Sequence, residues 1–145
     1  MIISETNFDK ARKIIEESKD KEIIFTSDSD EFNRKILEKE KINILLLNQA
    51  KRKDRQKQRN SGLNQVLAKL AKEKNIAIGI NLDEIIHSKN KAEVLARVKQ
   101  NIKLANKYKL KMKFITQDKK NERNLYDLKA LGLVLGMPTT MTKEL

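Results

Sequence analysis

The stretch Lys51-Arg52-Lys53-Asp54-Arg55-Gln56-Lys57-Gln58-Arg59 packs six cations and one anion into nine positions. It runs into Asn60-Ser61-Gly62-Leu63-Asn64. Asn60 or Ser61 is suited to cap a following helix, which sets the cations beside the positive end of a helix dipole. Cations repel that end, so the arrangement is locally unfavourable until an anion docks. A docking anion meets free N–H groups, the dipole and the Lys and Arg side chains together, and phosphate is the natural guest. Lys51, Arg52, Lys53, Arg55, Lys57 and Arg59, with Asn60 and Ser61, are therefore the candidate phosphate contacts. The plainer alternative is a solvated loop.

A second basic stripe consists of Lys99, Lys103 and Lys107, at i, i+4 and i+8 of a predicted helix. Like charges at this spacing cost about 0.2–0.5 kcal/mol per pair unless something screens them. Lys103 and Lys107 join the candidate contacts, and a solvated lysine face is an equal alternative. Glu93 and Arg97 are spaced to pair on a neighbouring face. The few aromatics (Phe8, Phe25, Phe32, Phe114, Tyr108 and Tyr126) fall mostly at core positions. A base-stacking platform is not supported, so binding should rest on phosphates and shape and depend steeply on salt.

Catalytic machinery does not assemble from these residues. His87 is the single histidine and there is no cysteine, so no Ser/His/Asp or Cys/His set can be drawn. One histidine does not furnish the clustered ligands of a metal-dependent phosphoesterase. A P-loop and a GxGxxG are both absent. No catalytic residue, metal ligand or protein-bound cofactor is assigned. Polar residues do gather at predicted strand ends: Thr26, Ser27 and Asp28; Asn48 and Gln49; Asn81; Thr116, Gln117 and Asp118. Sites of α/β folds form at that edge, but ordinary loop polarity explains them as well, and no acid–base pair is among them.

The composition agrees with a polyanion partner. The chain has 145 residues and a formal net charge of +12. Residues 1–40 hold 8 Lys/Arg against 11 Asp/Glu, and residues 41–145 hold 24 against 9. An ion-paired surface needs both signs, which suits the first forty residues better than the rest. A basic domain of this kind points to nucleic acid. The apolar stretches are too short to span a membrane, and Met1-Ile2-Ile3-Ser4-Glu5 lacks the basic and apolar regions of a signal peptide. A cytoplasmic location follows as the expectation.

The elements that must carry these residues alternate. A helix bears Phe8, Ala11, Ile14 and Ile15, and a strand spans roughly 22–26. A second helix bears Phe32, Ile36 and Leu37, with Asp28 or Ser29 as cap. Ile42-Asn43-Ile44-Leu45-Leu46-Leu47 reads as a strand buried on both faces. After the basic stretch, Leu63, Val66, Leu67, Leu70 and Ala71 mark a third helix. In the strand 76–82 the bulky Ile76, Ile78, Ile80 and Leu82 share one face and Ala77, Gly79 and Asn81 the other. A helix over about 90–108, a strand over 112–116 and a last helix over about 124–135 complete the pattern, with a possible extra strand at residues 1–4. Repeated βα units imply a mostly parallel sheet in a single α/β domain, 1–145. The small face of 76–82 suits a barrel interior, and four or five strands suit an open sheet or a reduced, partly open barrel.

The run Arg59-Asn60-Ser61-Gly62-Leu63-Asn64-Gln65-Val66-Leu67-Ala68-Lys69-Leu70-Ala71-Lys72, followed by Ile76-Ala77-Ile78-Gly79-Ile80-Asn81, resembles archaeal ribonuclease P protein component 3. That family is related to the thirty-kilodalton subunit of eukaryotic ribonuclease P. Asn101-Ile102-Lys103-Leu104-Ala105-Asn106-Lys107-Tyr108-Lys109 and the segment from Asp127-Leu128 through Leu131-Gly132 to Leu135-Gly136-Met137 agree. The match covers about residues 50–137, and the first 49 only in pattern. The resemblance implies a TIM-barrel-like fold, here shortened or incomplete because the chain is shorter than usual members. It also implies binding to ribonuclease P RNA, partnership with protein component 2, and precursor tRNA in the complex. The catalytic groups and Mg2+ ions would belong to the RNA. Where the family commonly has Ser-Asp-Ala after the strand that ends here at Thr116, the chain reads Gln117-Asp118-Lys119, so only the Asp matches. The alternatives are a metal-dependent phosphoesterase of related barrel fold and a generic basic scaffold.

Overall fold

A computed structural model describes residues 1–19 and 22–145. Five strands, β1 (Ile2–Ser4), β2 (Ile24–Thr26), β3 (Ile44–Leu47), β4 (Ala77–Asn81) and β5 (Met112–Ile115), form one sheet in the order β1-β2-β3-β4-β5. Every pairing is parallel; Phe25 lies opposite Leu45, Leu45 opposite Ile78, and Ile80 opposite Phe114. Among the described residues β1 and β5 are each paired on one side only, so the sheet is open and does not close into a barrel.

Helices join the strands: α1 (Phe8–Glu17), α2 (Asp30–Lys39), α3 (Gln65–Glu73), then α4 (Leu82–His87) and α5 (Lys91–Lys107) in succession. After β5 come a 3-10 turn (Lys119–Asn121), α6 (Leu125–Val134) and α7 (Thr139–Thr142). Short polar side chains start most of these helices by accepting an orphan backbone N–H. Asn7 accepts from Lys10, Ser29 from Phe32, Asn64 from Leu67 and Asn124 from Asp127.

The crossover helices pack on one face of the sheet. Ile3, Phe25, Leu45, Leu47, Ile78, Ile80 and Met112 share a cluster with Ala11 and Ile15 of α1, Ile36 and Leu37 of α2, Leu67 and Ala71 of α3, and Val94, Val98 and Ile102 of α5. Ile24, Ile44, Leu46 and Ala77, with Ile2 and Ile115, form a separate cluster on the opposite face. There the absence of a side chain at Gly79 leaves room for its neighbours. A Cβ at Gly79 would lie 3.1 Å from both Ile44 Cγ2 and Leu46 Cδ1 and 3.2 Å from Ile115 Cγ1. The small face read from the 76–82 alternation is therefore real, but it belongs to β4 alone. The flanking strands contribute bulky residues that converge over it.

The elements fall close to their predicted places, with two corrections. Leu82 opens α4 instead of ending the strand, because the Asn81 side chain accepts the Glu84 N–H and turns the chain into a helix. His87 thus ends a short helix. The third helix begins at Gln65, capped by Asn64, and not after Asn60 or Ser61. Gly62 takes φ +79, and the Ser61 carbonyl is held by Gln49 and Asn101, so the chain makes a further turn before it coils. Near the end of the chain, α6 leaves Leu125, Tyr126, Leu133 and Val134 exposed. Among the described residues no helix is long and apolar enough to cross a membrane.

Candidate nucleic-acid interface

The segment 48–64 leaves the C-terminal end of β3 and crosses toward α5 before reaching α3. Two arginines that point inward fix its path. Arg52, 10% exposed at its side chain, donates from Nε to the Asn48 carbonyl at 2.6 Å. Its Nη1 and Nη2 meet the Asp30 carboxylate at 3.0 and 2.8 Å, and Nη1 also donates to Asn60 Oδ1 at 3.2 Å. Arg97 of α5, 3% exposed, donates from Nη1 to the Gln49 carbonyl and from Nε to Asp54 Oδ1, both at 2.9 Å. Asp54 Oδ1 also accepts the Asn60 N–H at 2.9 Å. The Arg97 hydrogen bond, with that of Asn60, holds the Asp54 carboxyl below the usual carboxylate range.

Gln49 supports the same path from beneath. Its Nε2 donates to the Ser61 carbonyl at 2.9 Å, and Asn101 of α5 donates to that carbonyl at 3.0 Å. Glu84 accepts the backbone N–H of Gln49 and of Ala50 at 2.7 and 3.2 Å. Gln100 reaches the Ser61 hydroxyl at 3.1 Å. A Cβ at Gly62 would press into the Arg52 guanidinium, and its positive φ disfavours other residues independently.

Several of the expected phosphate contacts border one groove. A cavity of about 920 Å³ is lined by Arg55, Lys57 and Arg59 from the loop, by Asn64 and Gln65 at the start of α3, and by Lys103 and Lys107 from α5. Asp30, Glu31 and Arg34 line it from α2. The first turn of α3 carries no acidic residue, so the positive end of its dipole is uncompensated there. The arm and the lysine stripe, 44 residues apart between Arg59 and Lys103, thus meet across one surface. Lys51 and Lys53 are exposed outside the groove, and Lys99 is exposed but does not line it.

Other expected residues serve the protein itself. Arg52 is committed to Asp30 and two further acceptors, and Ser61 is 2% exposed. Arg97 does not pair with Glu93; Asp54 and the Gln49 carbonyl take both ends of its guanidinium. Arg97 had a legible signal, since it shares the buried helix face with Val94, Val98 and Asn101. A cation on such a face must have an internal acceptor. Asp30 and Gln100 had no comparable signal.

The polar strand ends form a bonded layer. Thr26 donates to the Leu46 carbonyl at 3.0 Å, Asn48 to Thr26 Oγ1 at 3.1 Å, and Asn81 to Asn48 Oδ1 at 2.8 Å. Asp83 accepts from the Thr116 hydroxyl, from the Gln117 N–H at 2.9 Å and from Asn121 Nδ2 at 2.8 Å. His87 Nε2 lies 3.1 Å from Asn121 Oδ1, so the lone histidine buttresses this network. Asp118 accepts the Lys120 N–H and caps the 3-10 turn. Among the described residues no three His, Asp or Glu side chains are grouped to hold a metal ion.

No family model matches the chain. Ribonuclease P protein component 3 of Methanococcus maripaludis strain C6 is 28% identical over 147 residues, covering 99% of this chain and 59% of the relative. Over nearly its whole length the chain is thus similar to ribonuclease P protein component 3. Locally the likeness is stronger: component 3 of Methanosarcina acetivorans is 50% identical over 52 residues, 34% of this chain and 22% of that one. The chain therefore spans about three fifths of the Methanococcus component 3 and aligns with about one fifth of the Methanosarcina protein. A chain in a cryo-EM structure of archaeal ribonuclease P with mature tRNA matches with a TM-score of 0.77 at 23% identity. That match covers 98% of this chain and 62% of the other. It establishes the fold: an α/β architecture shared with that chain, here an open sheet of five parallel strands.

Proposed function

We propose that this chain is a protein subunit of ribonuclease P that binds the catalytic RNA and supports removal of the 5′ leader from precursor tRNA. The observation that carries the proposal is the groove where Arg55, Lys57 and Arg59 face Lys103 and Lys107 beside the start of α3. A surface of this kind follows phosphates and offers bases no stacking platform, because no aromatic side chain lines it. The similarity to component 3 supports the choice of enzyme.

In this reading the RNA contacts are Arg55, Lys57, Arg59, Lys103 and Lys107 in the groove, with Lys51 and Lys53 outside it. Asn60 assists from the groove wall. Arg52 and Ser61, first expected as contacts, hold the loop's shape instead. The catalytic groups and Mg2+ reside in the RNA, and protein component 2 is the partner in the cytoplasm.

Two measurements test this. Replacing Arg55, Lys57 and Arg59 together by Ala should flatten the slope of log affinity for ribonuclease P RNA against log salt by about 2–3 units. An unchanged slope would remove the loop from the interface. Reconstitution with ribonuclease P RNA and component 2 should cleave precursor tRNA faster with this chain than without it; equal rates would leave only a basic scaffold.

A further inference from the structure

Asp54 is the single acid in the basic run 51–59, and simple electrostatics makes it a liability. A carboxylate among cations that meet phosphates lowers the local potential, so its removal should tighten RNA binding. The contacts of Asp54 point the other way. One oxygen, Oδ1, accepts both from Arg97 Nε and from the Asn60 N–H, each at 2.9 Å. Arg97 is buried and anchored at its other end to the Gln49 carbonyl. A single carboxylate oxygen thus ties the outgoing limb of the loop to its returning limb and both to α5.

Between these limbs lie Arg55, Lys57 and Arg59. The intervening backbone is closed on itself, with the Arg55 N–H donating to the Gln58 carbonyl at 2.8 Å and the Gln58 N–H returning to the Arg55 carbonyl at 3.4 Å. Gln100 of α5 donates to the Arg59 carbonyl at 3.4 Å. Three groove cations therefore ride on a loop whose ends meet at Asp54. Arg97, at 3% exposure, is too deeply buried to touch a phosphate itself.

We propose that Asp54, gripped by Arg97, is a positioning residue that holds Arg55, Lys57 and Arg59 in their RNA-binding arrangement, so that this carboxylate raises RNA affinity in spite of its charge. The inference rests on the reading of the groove as an RNA surface. A loop already closed loses less conformational freedom on binding than an open one. The benefit belongs to geometry and not to an added contact, so it leaves the number of neutralised phosphates nearly unchanged.

The test reads the sign of a charge effect. The full chain and its Asp54→Ala variant are titrated with ribonuclease P RNA at several salt concentrations. The expected result is affinity weakened about five- to tenfold, although net charge has risen by one, with the salt slope preserved. Binding as tight as, or tighter than, the unaltered chain overturns the proposal. A second variant makes the test independent of any loss of folding. Asp54→Asn keeps an acceptor oxygen for Arg97 and for the Asn60 N–H while making the same change in net charge as Asp54→Ala. It should bind RNA more tightly than Asp54→Ala; equal binding of the two variants counts against the positioning role. Failure of the unaltered chain to bind RNA would instead overturn the parent reading, which separates the two failures.

Discussion

Arg52 and Asp30 meet in a two-pronged ion pair, Nη1 to Oδ2 at 3.0 Å and Nη2 to Oδ1 at 2.8 Å, that fastens the basic loop to the first turn of α2. The guanidinium is nearly buried while the carboxylate is 45% exposed. Asp30 also sits where the α2 dipole favours an anion, and the pair adds a geometric constraint to a charge already well placed.

Arg52→Ala should therefore lower stability by about 1–3 kcal/mol, read from denaturant or thermal unfolding. Asp30 can rehydrate, which limits the loss, but the Asn48 carbonyl and Asn60 Oδ1 lose their donor. Arg52→Lys should recover little, since an ammonium cannot reproduce the planar fork. The slope of RNA affinity against salt should not move in either variant. A drop of about one unit would return Arg52 to the phosphate contacts.

The lysines of α5 separate by position. Lys103 and Lys107 line the groove and Lys99 does not. Replacing Lys103 and Lys107 by Ala should reduce the salt slope by about 1.4–1.8 units, at 0.7–0.9 per contact. Lys99→Ala should leave it unchanged. Filter binding over a salt series distinguishes the two results, and equal effects from all three would mean the helix acts only through its net charge.

Asp83 should contribute to acid sensitivity. Burial alone would push its carboxyl up, but hydrogen bonds from the Thr116 hydroxyl, the Gln117 N–H and Asn121 together hold it below the usual range. A group depressed in the folded state contributes stability that is fully present above its unfolded pKa, about 3.9. That contribution is lost as pH falls through the lower folded value. Asp83→Asn should cost about 1–3 kcal/mol at neutral pH. The gap from the unaltered chain should narrow as pH drops below about 4. A gap independent of pH would show that shape, and not charge, holds this corner.

Much of the architecture was legible because strands buried on both faces announce themselves. Ile44 through Leu47 and Ala77 through Ile80 have no polar residue to alternate with, and both became central strands. The cap at Ser29, one of two candidates with Asp28, was likewise a local feature. The groove was legible only as two separate basic stretches, since nothing local says that Arg59 and Lys103 share a surface. The supports were harder still. Arg97 meets Asp54 across 43 residues and Arg52 meets Asp30 across 22, and such pairings follow from how α2 and α5 flank the loop. Placing the helix cap at Asn60 or Ser61 erred because a buried carbonyl, invisible to local pattern, delayed the helix until Asn64.

The order β1-β2-β3-β4-β5 has a bearing on how the molecule is made. Each strand pairs only with its immediate predecessor and successor in the chain. Among the described residues every partner strand lies one βα unit away, as Ile24 pairs with Ile44 and Ile78 with Met112, so no loop closure has to span more than one such unit during assembly. As the polypeptide leaves the ribosome, each βα unit can add to the edge of the one before it, N-terminal end first. At each stage the nascent chain presents one template edge, and the next strand to emerge is the one that fits it.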